Sequence, residues 1–164
     1  MYFWKIDKLI EDFKQGKVSQ KSQFKYYILF VLVSIFFYDP VFYIDSKYSL
    51  YDSINTFLTL MISAWGIYNA YKNNSSGDNQ EFISRVMCLG LPAAIRVIAI
   101  FLPIILVSMI SVEIIKNILI ERSIEYASFL DLSGKIFSYL ISLSITFSYY
   151  FYLGRKIKQI SAHD

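Results

Sequence analysis

Four stretches of about 20 mostly apolar residues, separated by short polar segments, constrain this chain more than any other feature. A helix needs about 20 such residues to cross a hydrocarbon core roughly 30 Å thick, because inside lipid its backbone polar groups must be satisfied internally. Of the 164 residues, 55% are hydrophobic, above the roughly 45–50% of ordinary soluble domains. The expected fold class is all-α: a polytopic membrane protein built as a four-transmembrane-helix bundle with an N-terminal amphipathic helix. Residues 1–22 form that helix and a linker, 23–153 the membrane domain, and 154–164 a basic cytoplasmic tail.

Met1 to Lys14 reads as the amphipathic helix, since Tyr2, Phe3, Ile6, Leu9, Ile10 and Phe13 share one face at 100° per residue. Such a helix lies either in the membrane interface or against the bundle or a partner. It is no cleavable signal peptide, as it mixes charge signs and lacks an uninterrupted apolar core. The first span runs from Phe24 to Phe37, extended by Tyr38 to Tyr43, with Asp39-Pro40 marking its outer end. The second covers Leu50 to Tyr71 and is closed by the polar run Lys72 to Gln80. The third begins near Phe82, contains Pro92 and Pro103, and projects beyond the membrane toward Glu125. Ser133-Gly134 is the expected break before a fourth span from Ile136 to Leu153, which Gly154 should stop.

Lysine and arginine orient the spans. Lys5, Lys8, Lys14, Lys17, Lys21, Lys25, Lys72, Arg85, Arg155, Lys156 and Lys158 gather on one side, against Lys47, Lys116, Arg122 and Lys135 on the other. The first side is expected to be cytoplasmic, with both chain ends there. Asp39, Asp45, Asp52, Glu113, Glu121, Glu125 and Asp131 then fall outside.

In the second span Asp52, Thr56, Thr59, Ser63, Gly66 and Ala70 recur at spacings of four and three, a seam of small and polar groups. Small residues let membrane helices approach closely, and hydroxyls can bond across the contact for roughly 0.6–2 kcal/mol each. Packing within one subunit, a subunit interface and a pore lining all fit that pattern. Ser138, Ser142 and Thr146 on the fourth span, with Ser144 and Ser148 on another side, repeat the theme. Their hydroxyls can also return to carbonyls of the preceding turn.

Arg96 is the one basic residue well inside a span, on the order of 10 Å from the inner end of a helix starting at Leu89. No carboxylate is expected at its depth. Arg85, eleven residues earlier, lies within about 20° of the same helical face. Together they could form an inward-facing stripe for an anion or an acidic partner, or Arg96 could snorkel to the headgroups.

Catalysis finds little support, with His163 the only histidine and Cys88 the only cysteine. No phosphate loop or set of metal ligands is visible. No catalytic residue, metal or cofactor is expected, and no direct nucleic-acid contact. In length and span count alone, the chain resembles the small four-span bacterial membrane proteins of bacteriocin immunity and of anti-phage systems with a soluble partner. Fold-level likeness does not establish function. The expectation is a non-enzymatic, homo-oligomeric sensor or scaffold in the bacterial inner membrane, in contact with the lipid bilayer and coupling an envelope event to a cytoplasmic protein partner. An oligomeric channel or pore, or an immunity protein, is the alternative.

Overall fold

A computed structural model of the protein describes residues 2–37, 49–120 and 124–162, and within them the side chains outside 34–37, 112–113, 116–120 and 124–132. These residues form five helices and no strand: α1 (Ile6–Lys14), α2 (Gln20–Phe37), α3 (Leu50–Ser75), α4 (Phe82–Ile120) and α5 (Ile124–Ser161). The segments Phe82–Ser111 and Ser133–Ser161 are long and apolar enough to cross a membrane. The acidic side chains of Asp39, Asp45, Glu113, Glu121, Glu125 and Asp131, the expected Tyr38 to Tyr43 extension of the first span and all but Ser49 of the short turn expected over Asp45 to Ser49 lie outside the described portion.

Helix α5 is the centre of the assembly, packed against α3 on one side and α4 on another, with α2 on α4. Tyr139 meets Asp52, Tyr150 meets Gly66 and Gly154 meets Ala70, so α3 and α5 run parallel. Phe82, Val86 and Met87 share a cavity wall with Leu153, whereas Pro103 to Ile115 share one with Phe137. Helix α4 is therefore antiparallel to α5. Tyr26 and Phe30 approach Cys88 and Gly90, which starts α2 and α4 at the same end. We call that end basal.

The buried core sits at the basal end, where α1 inserts Ile6, Leu9, Ile10 and Phe13 among Tyr26, Ala70, Cys88, Leu89, Leu153, Ile157 and Ile160. Burying each such aliphatic or aromatic group contributes about 1.5–3 kcal/mol of transfer free energy. The apolar face of the amphipathic helix is thus covered by the bundle. Distally the reverse holds. Ile98, Ile100, Leu102, Ile104, Leu106, Val107, Met109 and Ile110 of α4 are all exposed, on more than one face of the helix.

Several expected boundaries move. Residues Tyr2 to Lys5 are not helical, since the Tyr2 amide donates to the Tyr26 hydroxyl and the Trp4 carbonyl accepts from Arg96. Helix α3 continues through Asn73 and Asn74 despite their low helix propensity, because both side chains have tertiary partners: Asn73 donates to the Gly154 carbonyl at 3.2 Å and Asn74 to that of Gln80 at 3.2 Å. Ser133-Gly134 is no break, and Gly154 no stop; both lie inside α5. Gly154 instead brings α5 onto α3, where a β-carbon would already touch the Asn73 side chain at 3.4 Å and the Ala70 Cα at 3.8 Å. The basic tail is consequently helical to Ser161 and packs through Ile157, Ile160 and Ser161. Pro92 and Pro103 do not interrupt the third long helix: both lie inside one continuous 39-residue α4, which ends at Ile120.

Candidate functional site

The most constrained polar constellation lies at the basal end and ties the N-terminal segment to three other helices. Arg96 on α4 donates from Nη1 to the Tyr152 hydroxyl of α5 at 2.7 Å and from Nη2 to the Trp4 carbonyl. One turn beyond Tyr152, the Lys156 ammonium meets Asp7 of α1 at 2.7 Å and lies 5.6 Å from the centre of the Tyr152 ring. The Tyr2 amide binds the Tyr26 hydroxyl of α2, and Phe3 packs edge-on against the same ring. A planar guanidinium is suited to this task, because its donors diverge in a fixed plane and can hold two elements at once.

The hydrogen bond from Lys156 holds the Asp7 carboxyl below its ordinary value of 3.8; desolvation opposes it, and the Lys156 and Arg96 charges act with it. Asp7 is largely exposed, its side chain 71% accessible. The contact is therefore a solvated latch rather than a buried ion pair.

A second basal constellation holds the α3–α4 connection. Arg85 forms a two-pronged pair with Asp78, Nη1 to Oδ1 at 2.6 Å and Nη2 to Oδ2, and Nη1 also donates to Asn74 Oδ1 at 2.8 Å. Its Nε is buried without a hydrogen-bond partner among the described residues. Asn79 and Glu81 adopt positive φ angles of 53° and 45° in this connection. The Asp78 amide is bound by the Ser161 carbonyl at 3.1 Å, so the end of α5 secures the same turn.

The expected site residues distribute as follows. Gly66 and Ala70 are buried against α5, and a β-carbon on Gly66 would overlap Tyr150 Cβ and Cγ. Thr59 and Ser63 are half-buried along the same line, while Thr56 is exposed. Asp52 accepts from the Ser49 amide at 2.7 Å, from Ser49 Oγ at 2.6 Å and from the Tyr139 hydroxyl at 2.6 Å. It thus closes the N-terminus of α3 and joins α3 to α5. On α5, Thr146 returns its hydroxyl to the Ser142 carbonyl at 3.0 Å and Ser144 to that of Leu140 at 2.7 Å. Ser138 is exposed and Ser142 half-buried. Arg85 and Arg96 do not make one stripe: the first is paired with Asp78 and the second reaches toward α5 and Trp4.

Sequence reasoning missed Asn73, Asn74, Asp78, Tyr139, Tyr152 and Lys156 as contact-making residues. The signal available for the asparagines was position, since Asn73 follows Ala70 by three residues and extends the small-residue seam. Tyrosines that anchor at an interface and tyrosines that bond an arginine have the same pattern in one dimension.

No protein-family model, curated protein or solved structure matches this chain. Its function must be argued from its own geometry. Among the described residues no group of histidine, cysteine and carboxylate side chains is assembled that could hold a metal ion.

Proposed function

We propose that this chain is a non-enzymatic integral membrane protein of the bacterial inner membrane, crossing it four times with both ends in the cytoplasm. It acts as an oligomeric sensor or scaffold that passes an envelope event to a cytoplasmic protein partner, in the setting of anti-phage defence. Two features support the membrane part. Successive long helices alternate in direction, and the distal part of α4 exposes aliphatic side chains that only lipid or another apolar surface can cover.

The single observation that carries the sensor reading is the joint at Arg96, which bonds α5 and the N-terminal segment from within α4. A change in the packing of α4 on α5 alters the separation of Arg96 from Tyr152, and the Trp4 carbonyl is held by the same guanidinium. Helix α1 presents Lys8 and Glu11 on its exposed face, with the exposed Lys5 just before it, and this is the surface offered to a partner. The packing of Gly66 and Ala70 against α5 supports a helix contact for the seam over a pore lining. The exposed Phe57, Met61 and Trp65 of α3 offer a face for a second copy.

Reporter fusions test the crossing pattern: those after Ser76 and Ala162 should report cytoplasm, and those after Ser49 and Ser133 the outside. A cytoplasmic reading at Ser49 overturns the four-span plan. Co-purification from native membranes tests the coupling. A partner retained by the wild type should be lost from Arg96→Gln at equal expression, and equal recovery from both rejects α1 as the output.

A further inference from the structure

We infer that Lys17, Lys21 and Lys25, at the entry to α2, form a binding surface for an anionic phospholipid headgroup, with the acyl chain laid along the same helix. The inference rests on the membrane reading above. All three lysines are exposed, and none is ion-paired with another described residue. Between Gly16 and Phe37 the chain holds no aspartate or glutamate, so no carboxylate on their own segment offsets their charge. Two other basal cations are already engaged, Lys156 by Asp7 and Arg85 by Asp78.

Lys21 and Lys25 are four residues apart and therefore stack on one face of α2. One turn further along that face the exposed side chain is Ile28, at 41%, and two turns further Leu32, at 57%; Phe24, 60% exposed, stands beside the lysines. The surface thus passes from cationic and aromatic side chains to aliphatic ones in the direction of the membrane interior. A phospholipid passes from phosphate to glycerol ester to hydrocarbon over the same distance, and aromatic rings favour the ester level. Both charge and polarity gradient are complementary to one anionic lipid, whereas free phosphate would use only the lysines.

Each lysine held near an anionic surface is worth roughly a fivefold preference at low salt. The experiment is native mass spectrometry of the full-length protein in mild detergent, titrated with phosphatidylglycerol or with phosphatidylcholine of the same chain length. The wild type should retain phosphatidylglycerol preferentially. Replacing all three lysines, Lys17→Gln, Lys21→Gln and Lys25→Gln together, should reduce that preference by about a hundredfold. Lys72→Gln with Lys158→Gln, which remove two exposed cations elsewhere, should leave it unchanged. An undiminished preference in the triple variant overturns the inference, as does equal loss in the double variant, which would mean net charge alone is read. Inorganic phosphate displacing the lipid at millimolar concentration also overturns it, since the site would then be a plain anion site. Leu32→Ser, which alters only the acyl path, should shorten lipid retention without affecting phosphate. Resistance of each variant to alkaline extraction is measured in parallel. Extraction of the wild type would reject the membrane reading itself, whereas retained integration with lost lipid preference supports the surface.

Discussion

Gly66 of α3 lies so close to Tyr150 of α5 that a β-carbon on the glycine would occupy the space of the tyrosine's Cβ and Cγ. The overlap is with the root of the ring and not its tip, so a rotamer change cannot relieve it. Gly66→Ala must push α3 off α5. We expect destabilisation by about 1–3 kcal/mol, the usual cost of overpacking, read as a lower midpoint of thermal unfolding in detergent. Met61→Leu on the exposed face should leave that midpoint unchanged, and equal midpoints for both variants would contradict the close contact.

Arg96 and Tyr152 should act as a unit. Arg96→Gln and Tyr152→Phe each remove their 2.7 Å bond, and the double variant should cost little more than Arg96→Gln alone. The readout is hydrogen exchange of the α1 amides, which should accelerate in either variant while the α5 amides near Leu153 remain protected. Additive effects would show that the two side chains support α1 independently. Arg96→Lys should rescue only part of the protection, because an ammonium lacks the planar fork that reaches both partners.

The Asp7–Lys156 latch should respond to acid. The Asp7 carboxyl titrates below its ordinary value of 3.8 in the folded state, so it binds more protons when the latch is open. Its contribution is complete above that ordinary value and fades as the pH falls through the lower, folded one. Trp4 fluorescence in a Trp65→Phe background should stay constant from pH 7 to 5 and change at more acidic pH. In Asp7→Asn that acid transition should be missing, and its persistence would assign it to another group.

Arg85 and Asp78 make a shielded pair, with side chains 7% and 16% exposed. Breaking such a pair from one side leaves a buried charge, at a cost of about 3–5 kcal/mol. Asp78→Asn should therefore lower stability markedly. Arg85→Met with Asp78→Leu should recover a substantial part of it, as measured by unfolding in detergent. Failure to recover would mean that Asn74 and the Asp78 backbone, rather than the charge pair, hold the turn.

Periodicity and composition determined what local physics controls. Residues Ile6, Leu9, Ile10 and Phe13 had to share a face, Gly66 and Ala70 had to permit a close approach, and the apolar length of α4 and of α5 followed from counting. Partners were another matter. Whether α1 lay on lipid or on the bundle, and whether the Gly66 seam met α5 or another copy, depended on which surfaces the chain brought together. The helix ends at Ser75 and Ser161 were decided in the same way, because Asn73 and Gly154 bond each other across α3 and α5, and that tertiary contact outweighs the few tenths to 1 kcal/mol by which asparagine and glycine disfavour helix. Arg96 shows the division most sharply. Its burden inside an apolar span is written in one dimension, while its relief by a hydroxyl 56 positions later and a carbonyl 92 positions earlier exists only in three.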